Sequence, residues 1–310
     1  MKKIVVVGSI NIDIVFNTVR IPLTGETVSG KDYYTSPGGK GANQALAAHR
    51  MGAQVQLIGK VGRDAFAPQA LAELEAAGMD LSAVSAAEAA ATGAAAIIVD
   101  EQGNNVIVVA PGANHAFTFA DVMAQEQALA QADALLMQFE VPMPLVQQTA
   151  AYVHNAGGKV VLNPAPATAL PDGLLANVDV LIPNEHELAL LAGVSGEDLS
   201  SLEAGARRLQ QQGAGVIIVT LGEKGALLVE PGKAAVLVPS FSVSAVDTVA
   251  AGDAFVAGFT TAWLEGRSLA DAVQWGNAAG ALAATHAGAQ VSLPVRQQVE
   301  ALLALSPVHP

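Results

Sequence analysis

Residues 4–13, Ile-Val-Val-Val-Gly-Ser-Ile-Asn-Ile-Asp, decide the fold of this chain. The apolar run predicts a buried strand, and it ends at Gly8, which makes it too short for a signal peptide. In open α/β sheets, ligands bind beyond the carboxyl ends of the strands. Asn11 and Asp13 follow this strand and lie two residues apart, so in an extended chain both side chains point the same way. They could hold a diol; an Asx turn that ends the strand is the alternative.

Short apolar runs and Ala-rich amphipathic segments alternate along most of the chain. We predict strands at 4–7, 55–58, 134–137, 160–162, 180–182 and 216–220. We predict helices at 42–51, 67–77, 122–130, 145–156, 185–192, 202–212 and 254–265. This alternation indicates βαβ units, and therefore an α/β fold with a mostly parallel sheet covered on both faces. Residues 14–35 and 92–110 break the pattern and predict antiparallel strands in a small projecting sheet.

Composition excludes several classes of protein. Of the 310 residues, 52% are hydrophobic and 14% are charged, which allows a sizeable core and argues against disorder. The net charge of −13 and the lack of a basic cluster argue against binding to nucleic acid or to an anionic membrane. The absence of cysteine excludes disulfides and thiolate chemistry. The sequence contains no apolar run of about 18 residues, so it predicts no membrane span. We therefore expect a soluble cytoplasmic protein.

The segment best suited to catalysis is residues 247–255, Asp-Thr-Val-Ala-Ala-Gly-Asp-Ala-Phe. The small residues Ala250, Ala251 and Gly252 let backbone N–H groups converge on one point, and the start of a helix adds positive potential there. Such a point can stabilise a phosphoryl group in transfer. Asp253 lies at its edge as a candidate base.

Residues 37–45, Pro-Gly-Gly-Lys-Gly-Ala-Asn-Gln-Ala, place glycines at the start of a helix, where a ligand can approach the backbone closely. Lys40 could contact an anion and Asn43 a hydroxyl. The spacing is not that of a Walker loop. A plain strand-to-helix turn is the alternative.

Three further candidates follow predicted strands. Glu187, within the Asn-Glu-His-Glu of residues 184–187, could organise Mg²⁺ through water, whereas zinc is disfavoured because the HExxH spacing is absent. Helix capping by Asn184 is the alternative there. Thr220, which opens the Gly-bounded turn 220–225, could touch nucleotide phosphates, or the turn could simply lead into a hairpin. Glu140 is a lone carboxylate at a strand end and a candidate ligand contact.

Taken together, these motifs resemble the ribokinase family of carbohydrate and purine kinases. Motifs similar to those of the family occur along nearly the whole chain and in the same order as in the family. They lie at residues 8–13, 38–45, 111–114, 163–166, 184–187, 220–225, 247–253 and 288–290. The resemblance implies a three-layer α/β/α sandwich with a small β-sheet lid. The main domain would comprise residues 1–13, 36–91 and 111–310, and residues 14–35 and 92–110 would form the inserted lid.

The resemblance also implies an activity and a partner. The activity would be transfer of phosphate from ATP to the 5-hydroxyl of ribose, since the GGKGANQA and NPAP motifs favour that branch of the family. The partner would be a second copy of the chain, paired through the lids.

Residue by residue, the resemblance implies the following roles. The sugar would be held by Asn11, Asp13, Gly39, Lys40, Asn43 and Glu140, and Asp253 would be the base beside the N–H groups of Ala250, Ala251 and Gly252. ATP would be bound by Asn184, Thr220, Gly222, Gly225, Gly252 and Asn277, with Glu187 helping to organise Mg²⁺. An activating K⁺ would be held, mostly through backbone carbonyls, by Asp247, Val249, Ala283, His286, Gly288 and Ser292.

The chain departs from the family pattern at two places. The family often has glycine where this chain has Ala250 or Ala251, and alanine still leaves the N–H groups free. Asn277 stands where a histidine is frequent beside the adenine, which affects nucleotide preference rather than chemistry.

Other functions stay open from the sequence. A kinase of the same fold could act on deoxyribose, fructose or a nucleoside, although only 4% of the residues are aromatic, which leaves little for base stacking. A non-catalytic sugar-binding protein could keep the fold, although a binder needs no base such as Asp253. A Rossmann dehydrogenase is disfavoured because no GxGxxG follows the first strand.

Overall fold

The structure is a computed structural model and describes residues 2–305. Both ends of the predicted main domain, residue 1 and residues 306–310, lie outside the described residues. Among the helices of residues 2–305, none is both long and apolar enough to cross a membrane.

A nine-stranded sheet forms the centre of the molecule. Its strands are β1 (Lys3–Val7), β4 (Gln54–Val61), β5 (Val84–Ala86), β8 (Ala134–Met137), β9 (Lys159–Leu162), β10 (Val180–Leu181), β11 (Val216–Thr220), β12 (Ala226–Val229) and β13 (Val236–Val238). They lie in the order β13-β12-β11-β10-β9-β8-β1-β4-β5. The pairs β11–β12 and β12–β13 are antiparallel and the others are parallel. The six predicted strands are all present.

A smaller four-stranded sheet, which we call the lid sheet, contains β2 (Asn11–Thr18), β3 (Gly30–Gly38), β6 (Gly93–Val99) and β7 (Asn105–Ala110), in the order β3-β2-β6-β7. The two predicted hairpins, β2–β3 and β6–β7, are antiparallel, and they join through β2 and β6, which run parallel. Because β2 begins at Asn11, both Asn11 and Asp13 belong to the lid sheet by hydrogen bonding. The division into domains at residues 13 and 36 stays a prediction.

Helices cover both faces of the large sheet. They are α1 (Lys40–Arg50), α2 (Phe66–Ala76), α3 (Phe119–Met123), α4 (Glu126–Ala130), α5 (Met143–Asn155), α6 (Glu185–Ala192), α7 (Leu199–Gln211), α8 (Ala251–Leu264), α9 (Leu269–Ala283) and α10 (Arg296–Leu305). The predicted helix at 122–130 is two short helices, and α9 and α10 lie outside the predicted helix ranges.

The core is double, as alternation along β1 shows. Ile4 and Val6 belong to one buried cluster, with residues of α1, α2, α8, α9 and α10. Val5 and Val7 belong to the other, with residues of α3, α4, α5, α6 and α7. Successive side chains of a strand face opposite sides of the sheet, so each strand contributes to both cores. The result is the expected three-layer sandwich, and the carboxyl ends of its parallel strands meet at one edge.

Candidate active site

Asp253 lies in the first turn of α8, and its buried carboxylate is fixed by two amides of α1. Asn43 Nδ2 donates to its Oδ2 at 2.9 Å, and Gln44 Nε2 donates to its Oδ1 at 3.0 Å. Burial raises the pKa of Asp253, while the charge of Lys40 and the two amide donors act in the opposite direction. A carboxylate with a raised pKa, placed at the start of a helix, is suited to accept a proton near neutral pH.

Glu140 and Lys40 form the next part of the site. Glu140 follows β8, and its Oε2 accepts from Ser9 Oγ at 2.5 Å and from the backbone N–H of Lys40 at 3.1 Å. Burial acts to lower the pKa of Lys40, but the nearby carboxylates outweigh it and raise that pKa. Those carboxylates are Asp253, Glu140, Glu187 and Asp13. Lys40 is therefore positively charged and surrounded by four carboxylates. Its positive charge is the group that an anionic ligand requires.

Asn11 and Asp13 approach this cluster from the lid sheet. Asn114 Nδ2 donates to Asn11 Oδ1 at 2.7 Å and so fixes which way the Asn11 amide faces. Burial, and secondarily the charge of Glu140, raise the pKa of Asp13 to about 6, although Lys40 acts to lower it. The sequence predicted that the side chains of Asn11 and Asp13 point to the same side of an extended chain. Both residues lie in β2, two positions apart, so the alternation of a strand places them on the same face of the lid sheet.

Glycine is required where α1 begins. Gly39 has φ of 90°, and a Cβ there would lie 2.8 Å from the backbone nitrogen of Asn11. A Cβ at Gly41 would lie 2.5 Å from the backbone of Gly8 and Ser9. The predicted glycine cluster therefore lets the start of α1 pack directly on the turn after β1, which carries the sugar-side residues close to Asp253.

Asn184 and Glu187 form a capping box at the start of α6. Asn184 N donates to Glu187 Oε2 at 2.9 Å, and Glu187 N donates to Asn184 Oδ1 at 2.8 Å. The capping alternative is therefore present. Burial raises the pKa of Glu187, and the Asn184 N–H and the charge of Lys40 lower it in part. Within residues 2–305, the hydrogen bond from Asn184 N engages Oε2 and leaves Oε1 without a donor, and Glu187 lines a cavity beside Asp253.

Two adjoining cavities lie beside Asp253. The first, of about 770 Å³, is lined by five of the six predicted nucleotide residues: Thr220, Gly222, Gly225, Gly252 and Asn277. The second, of about 590 Å³, is lined by Lys40, Asn184, Glu187 and Asp253, among others. Thr220, Gly222, Thr248 and Gly252 line both, so the cavities are continuous. A ligand of nucleotide size can fill the first and reach Asp253 through the second.

The backbone at the start of α8 differs from the prediction in one respect. Ala250 adopts the left-handed conformation, with φ of 60°, which turns the chain into the helix. Ala251 N donates to Thr248 O at 3.2 Å, so this N–H is already engaged. Of the predicted anion-binding group, the N–H groups of Ala250 and Gly252 remain, and the N–H of Asp253 in the first turn of α8 can join them.

Two loops meet at Asp247. Its carboxylate accepts from the backbone N–H of Val249 at 3.0 Å and from that of Gly288 at 2.9 Å, and its own N–H donates to Ala284 O at 3.2 Å. Farther along, Ser292 Oγ donates to Ala289 O at 2.8 Å. The structure thus brings the segment with Asp247 and Val249 against the segment that contains the other predicted K⁺ residues, Ala283, His286, Gly288 and Ser292. The ring nitrogen Nδ1 of His286 forms a hydrogen bond with Thr285 Oγ1 at 2.8 Å. The ring therefore already has a partner, and the predicted K⁺ site does not call on it.

Asn277 lines the larger cavity, but its amide has a structural partner. Nδ2 donates to Val238 O at 3.0 Å and to Pro239 O at 3.2 Å. It therefore fastens α9 to the chain that leaves β13, and this chain continues into the cavity wall at Ser240 and Phe241.

Sequence reasoning missed several residues that hold the site together. Asn114 orients Asn11; Ser9 bridges Glu140 and Gly41; Gln44, Gln138 and Asn163 lie beside Asp253. Four of the five lie within the motifs 8–13, 38–45, 111–114 and 163–166, and Gln138 follows the predicted strand 134–137. Ser9, Gln44, Asn114 and Gln138 are polar residues at buried positions, which was a usable signal, because buried amides and hydroxyls need partners.

The fold and the site together define a carbohydrate kinase. The model of the pfkB family carbohydrate kinases matches residues 1–296. The chain is 40% identical over 297 residues to the ribokinase of Haemophilus influenzae, covering 96% of this chain and 97% of that protein. It is 34% identical over 304 residues to the deoxyribokinase of Salmonella typhimurium, covering 98% and 99%.

A solved structure of Arabidopsis thaliana ribokinase, complexed with ribose and ATP, is similar with a TM-score of 0.94 and 32% identity, over 98% of this chain and 99% of that one. The chain belongs to the pfkB family of carbohydrate kinases. Within that family its fold is the ribokinase fold, which confirms the three-layer sandwich with a smaller sheet.

Proposed function

We propose that this chain transfers the γ-phosphoryl group of ATP to the 5-hydroxyl of D-ribose, giving ribose 5-phosphate and ADP. The observation that carries the proposal is the placement of Asp253. Its buried carboxylate stands at the start of α8, where the sugar-side residues of α1 meet a cavity of nucleotide size. Ribose is proposed as the substrate because the chain is similar to ribokinases, one of which was solved with ribose and ATP.

The sugar would lie between the lid sheet and α1. Asn11, Asp13, Asn43 and Glu140 offer amides and carboxylates to its hydroxyls, while Gly39 and Lys40 offer backbone and ammonium donors. Asn43 supports this placement directly, because its Oδ1 is buried and has no hydrogen-bond partner within residues 2–305. A buried acceptor without a donor is costly, and a sugar hydroxyl would satisfy it.

The chemistry would proceed by direct transfer. Asp253 accepts the proton of the 5-hydroxyl as that oxygen bonds to the γ-phosphorus, and the bond from phosphorus to the bridging oxygen breaks to release ADP. The N–H groups of Ala250, Gly252 and Asp253 would stabilise the charge that develops on the phosphoryl oxygens. Closure of the lid sheet over the sugar would exclude water from the reacting atoms.

The nucleotide would occupy the larger cavity. Thr220, Gly222 and Gly225 form the turn between β11 and β12 along one wall, and Asn277 lies on α9 in another. Asn184, in the adjoining cleft, would contact the phosphates. Gly222 and Gly225 have no side chains, so a flat ring could lie against the backbone at these two positions.

Mg²⁺ fits the cleft that contains Glu187. Among residues 2–305 there is no cluster of three or more acidic, histidine or cysteine side chains suited to direct metal binding. Glu187, with one unengaged carboxylate oxygen, suits the way Mg²⁺ is usually held in kinases, by few carboxylates, water and the substrate phosphates. When bound, the ion would neutralise charge on the β- and γ-phosphates.

K⁺ fits the loops that meet at Asp247. One carboxylate and several backbone carbonyls would supply oxygen ligands, which hard cations prefer. Asp247, Val249, Ala283, His286, Gly288 and Ser292 would hold it, His286 through its carbonyl alone. The bound ion would stabilise the segment that leads directly into Ala250.

A second copy of the chain would pair through the lid sheet. All six residues of β7 are exposed, and four of them, Val106, Ile107, Val108 and Val109, are apolar. Tyr33 and Tyr34 of the opposite edge strand β3 are exposed as well. An exposed apolar edge strand invites pairing with another chain, and a homodimer would cover it. We place the reaction in the cytoplasm because ATP is its co-substrate.

Deoxyribose is the second candidate substrate, favoured by the 34% identity to a deoxyribokinase. An ADP-release assay with Mg²⁺-ATP and a panel of ribose, deoxyribose, fructose and nucleosides separates the candidates, run first in K⁺ and then in Na⁺. We expect turnover to be fastest with ribose and to rise with K⁺. Fastest turnover with deoxyribose moves the specificity and keeps the mechanism, whereas no ADP release with any sugar contradicts the kinase proposal.

A further inference from the structure

Three amides lie in a hydrogen-bonded line beside Asp253: Gln44 and Gln138, which line neither cavity, and the half-buried Asn163, which lines the second cavity. Gln44 and Gln138 have no exposed surface. Gln44 Nε2 lies 3.0 Å from Asp253 Oδ1 and 3.2 Å from Asn163 Oδ1. Gln138 Nε2 donates to Gln44 Oε1 at 2.6 Å, and Asn163 Nδ2 donates to the carbonyl of Ile182 at 2.8 Å. Gln138, Asn163 and Ile182 directly follow β8, β9 and β10.

The hydrogen bonds leave Gln44 one orientation. The carbonyl of Ile182 can only accept, so Asn163 presents its NH₂ to Ile182 and its oxygen to Gln44. The Gln44 amide then faces two acceptors, Asn163 Oδ1 and a carboxylate oxygen of Asp253, and only its NH₂ group can serve both. Its oxygen must face Gln138, which donates to it. The ends of three central strands therefore determine which atom of Gln44 meets Asp253.

We propose that Gln44 is a positioning residue for phosphoryl transfer: anchored by Asn163 and Gln138, it holds the Asp253 carboxylate at the orientation in which it receives the sugar proton. The inference rests on the proposed role of Asp253 as base. Gln44 lines neither cavity and has no exposed surface, so it acts through Asp253 and does not touch the substrate.

The two donors divide the carboxylate between them. Asn43 bonds to Oδ2 from the sugar side, and Gln44 bonds to Oδ1. With both bonds in place the carboxylate plane is fixed. Without Gln44, Oδ1 is held only by the fields of the surrounding charged groups, Lys40, Glu140 and Glu187. The carboxylate can then rotate away from the geometry of a general base, in which small displacements are costly.

The test replaces Gln44 with methionine, which keeps the length and removes the donor. We expect kcat to fall about 10-fold or more, the scale of a lost hydrogen bond to a charged group, while the KM for ribose stays within about twofold. The acidic limb of kcat/KM should move to higher pH, because a base that has lost a donor protonates more readily. A purely structural role for Gln44 would not move this limb.

Thr261→Val is the matched control, because Thr261 is also buried, lies on α8, and has a hydroxyl without a partner in the described part of the chain. We expect its kinetics to match the parent protein. If Gln44→Met does not fold, Gln138→Met removes the anchor instead, and we expect a severalfold loss of kcat at unchanged KM.

Asp253→Asn, measured alongside, separates the two claims. Near-normal turnover of Asp253→Asn overturns the proposed base and the present inference with it. An inactive Asp253→Asn together with a Gln44→Met variant of parental kcat and pH profile overturns only the inference about Gln44.

Discussion

Asn43 Nδ2 lies 2.9 Å from Asp253 Oδ2, and this bond joins residues that are 210 positions apart in the chain. Asn43 belongs to the glycine-opened helix α1, and Asp253 belongs to the first turn of α8. The contact therefore joins the proposed sugar-binding half of the site to the proposed phosphoryl-transfer half. Asn43 has a second, unpartnered atom, Oδ1, that is free for a sugar hydroxyl.

Replacing Asn43 with leucine should damage both binding and chemistry. The variant loses a proposed sugar contact and one donor to Asp253, so we expect the KM for ribose to rise and kcat to fall, each by about 10-fold or more. Steady-state kinetics with ribose varied at saturating ATP measures both. Asn177→Leu, which removes an exposed amide bonded only to the carbonyl of Gly173, is the control. A change in kcat alone would argue against sugar binding by Asn43.

Asp13 should make folding stability fall as pH rises. Its pKa is raised from the ordinary 3.8 to about 6 by burial, so the folded protein disfavours the ionised carboxylate. The resulting cost is absent below about pH 4, grows between pH 4 and 6, and is complete above pH 6. We expect Asp13→Asn to raise the free energy of unfolding by about 3 kcal/mol at pH 8 and by much less at pH 4. Urea unfolding at both pH values checks this.

The same substitution should weaken sugar binding, since a carboxylate accepts hydroxyl bonds more strongly than an amide does. A stabilised Asp13→Asn protein with a raised KM for ribose is the expected combination. A difference in unfolding free energy that grows towards low pH would contradict the assignment of the raised pKa.

Ala250 should carry backbone strain that glycine would relieve. Its φ of 60° is in the left-handed region, which costs an L-residue roughly 1–2 kcal/mol, partly offset by the entropy that glycine adds to the unfolded chain. We expect Ala250→Gly to raise the free energy of unfolding by about 0.5–1 kcal/mol with kcat almost unchanged. Ala251→Gly, at the first helical position beside it, should lower stability by a similar amount. Thermal unfolding of both variants decides, and loss of stability in Ala250→Gly would refute the strain.

The lid sheet should be the dimer interface. Val108 on β7 is 65% exposed, and we expect Val108→Asp to shift the protein from dimer to monomer by placing a charge in the interface. Leu190 on α6 is 67% exposed and lies outside the lid sheet, so Leu190→Asp should remain dimeric. Sedimentation velocity at several protein concentrations measures both. A parent protein that is monomeric throughout would remove the dimer proposal.

The parts of the fold that were predictable are those indicated by a local sequence pattern. Apolar runs such as residues 4–7 and 216–220 identified the buried strands, because a strand covered on both faces has no polar side. The direction of β2 relative to β6 was not predictable, because alternation along a strand is the same for parallel and antiparallel partners.

Helix α9 was given no predicted range because its glycines weaken the local helical signal. A Cβ at Gly276 would lie 3.0 Å from the ring of Phe255, and one at Gly280 would lie 3.0 Å from the carbonyl of Ala251. These glycines let α8 and α9 pack closely, so tertiary contact outweighs the helix propensity that glycine lacks.

In the site, short motifs indicated Asp253, Asn43 and Glu187 because each stands in a loop or helix start with a chemical rationale of its own. Gln44 was not indicated. Its role depends on a carboxylate 209 positions away and on Gln138, 94 positions away, and no local pattern encodes such distances.

The most direct test of the account is the turnover of Asp253→Asn with saturating ribose and Mg²⁺-ATP, together with ribose affinity from calorimetry. The substitution keeps the size of the side chain and removes the base. The account predicts a kcat lower by roughly 10² or more, the usual scale for a positioned base, with the fold intact and ribose still bound. A variant that releases ADP at close to the parental rate would contradict it.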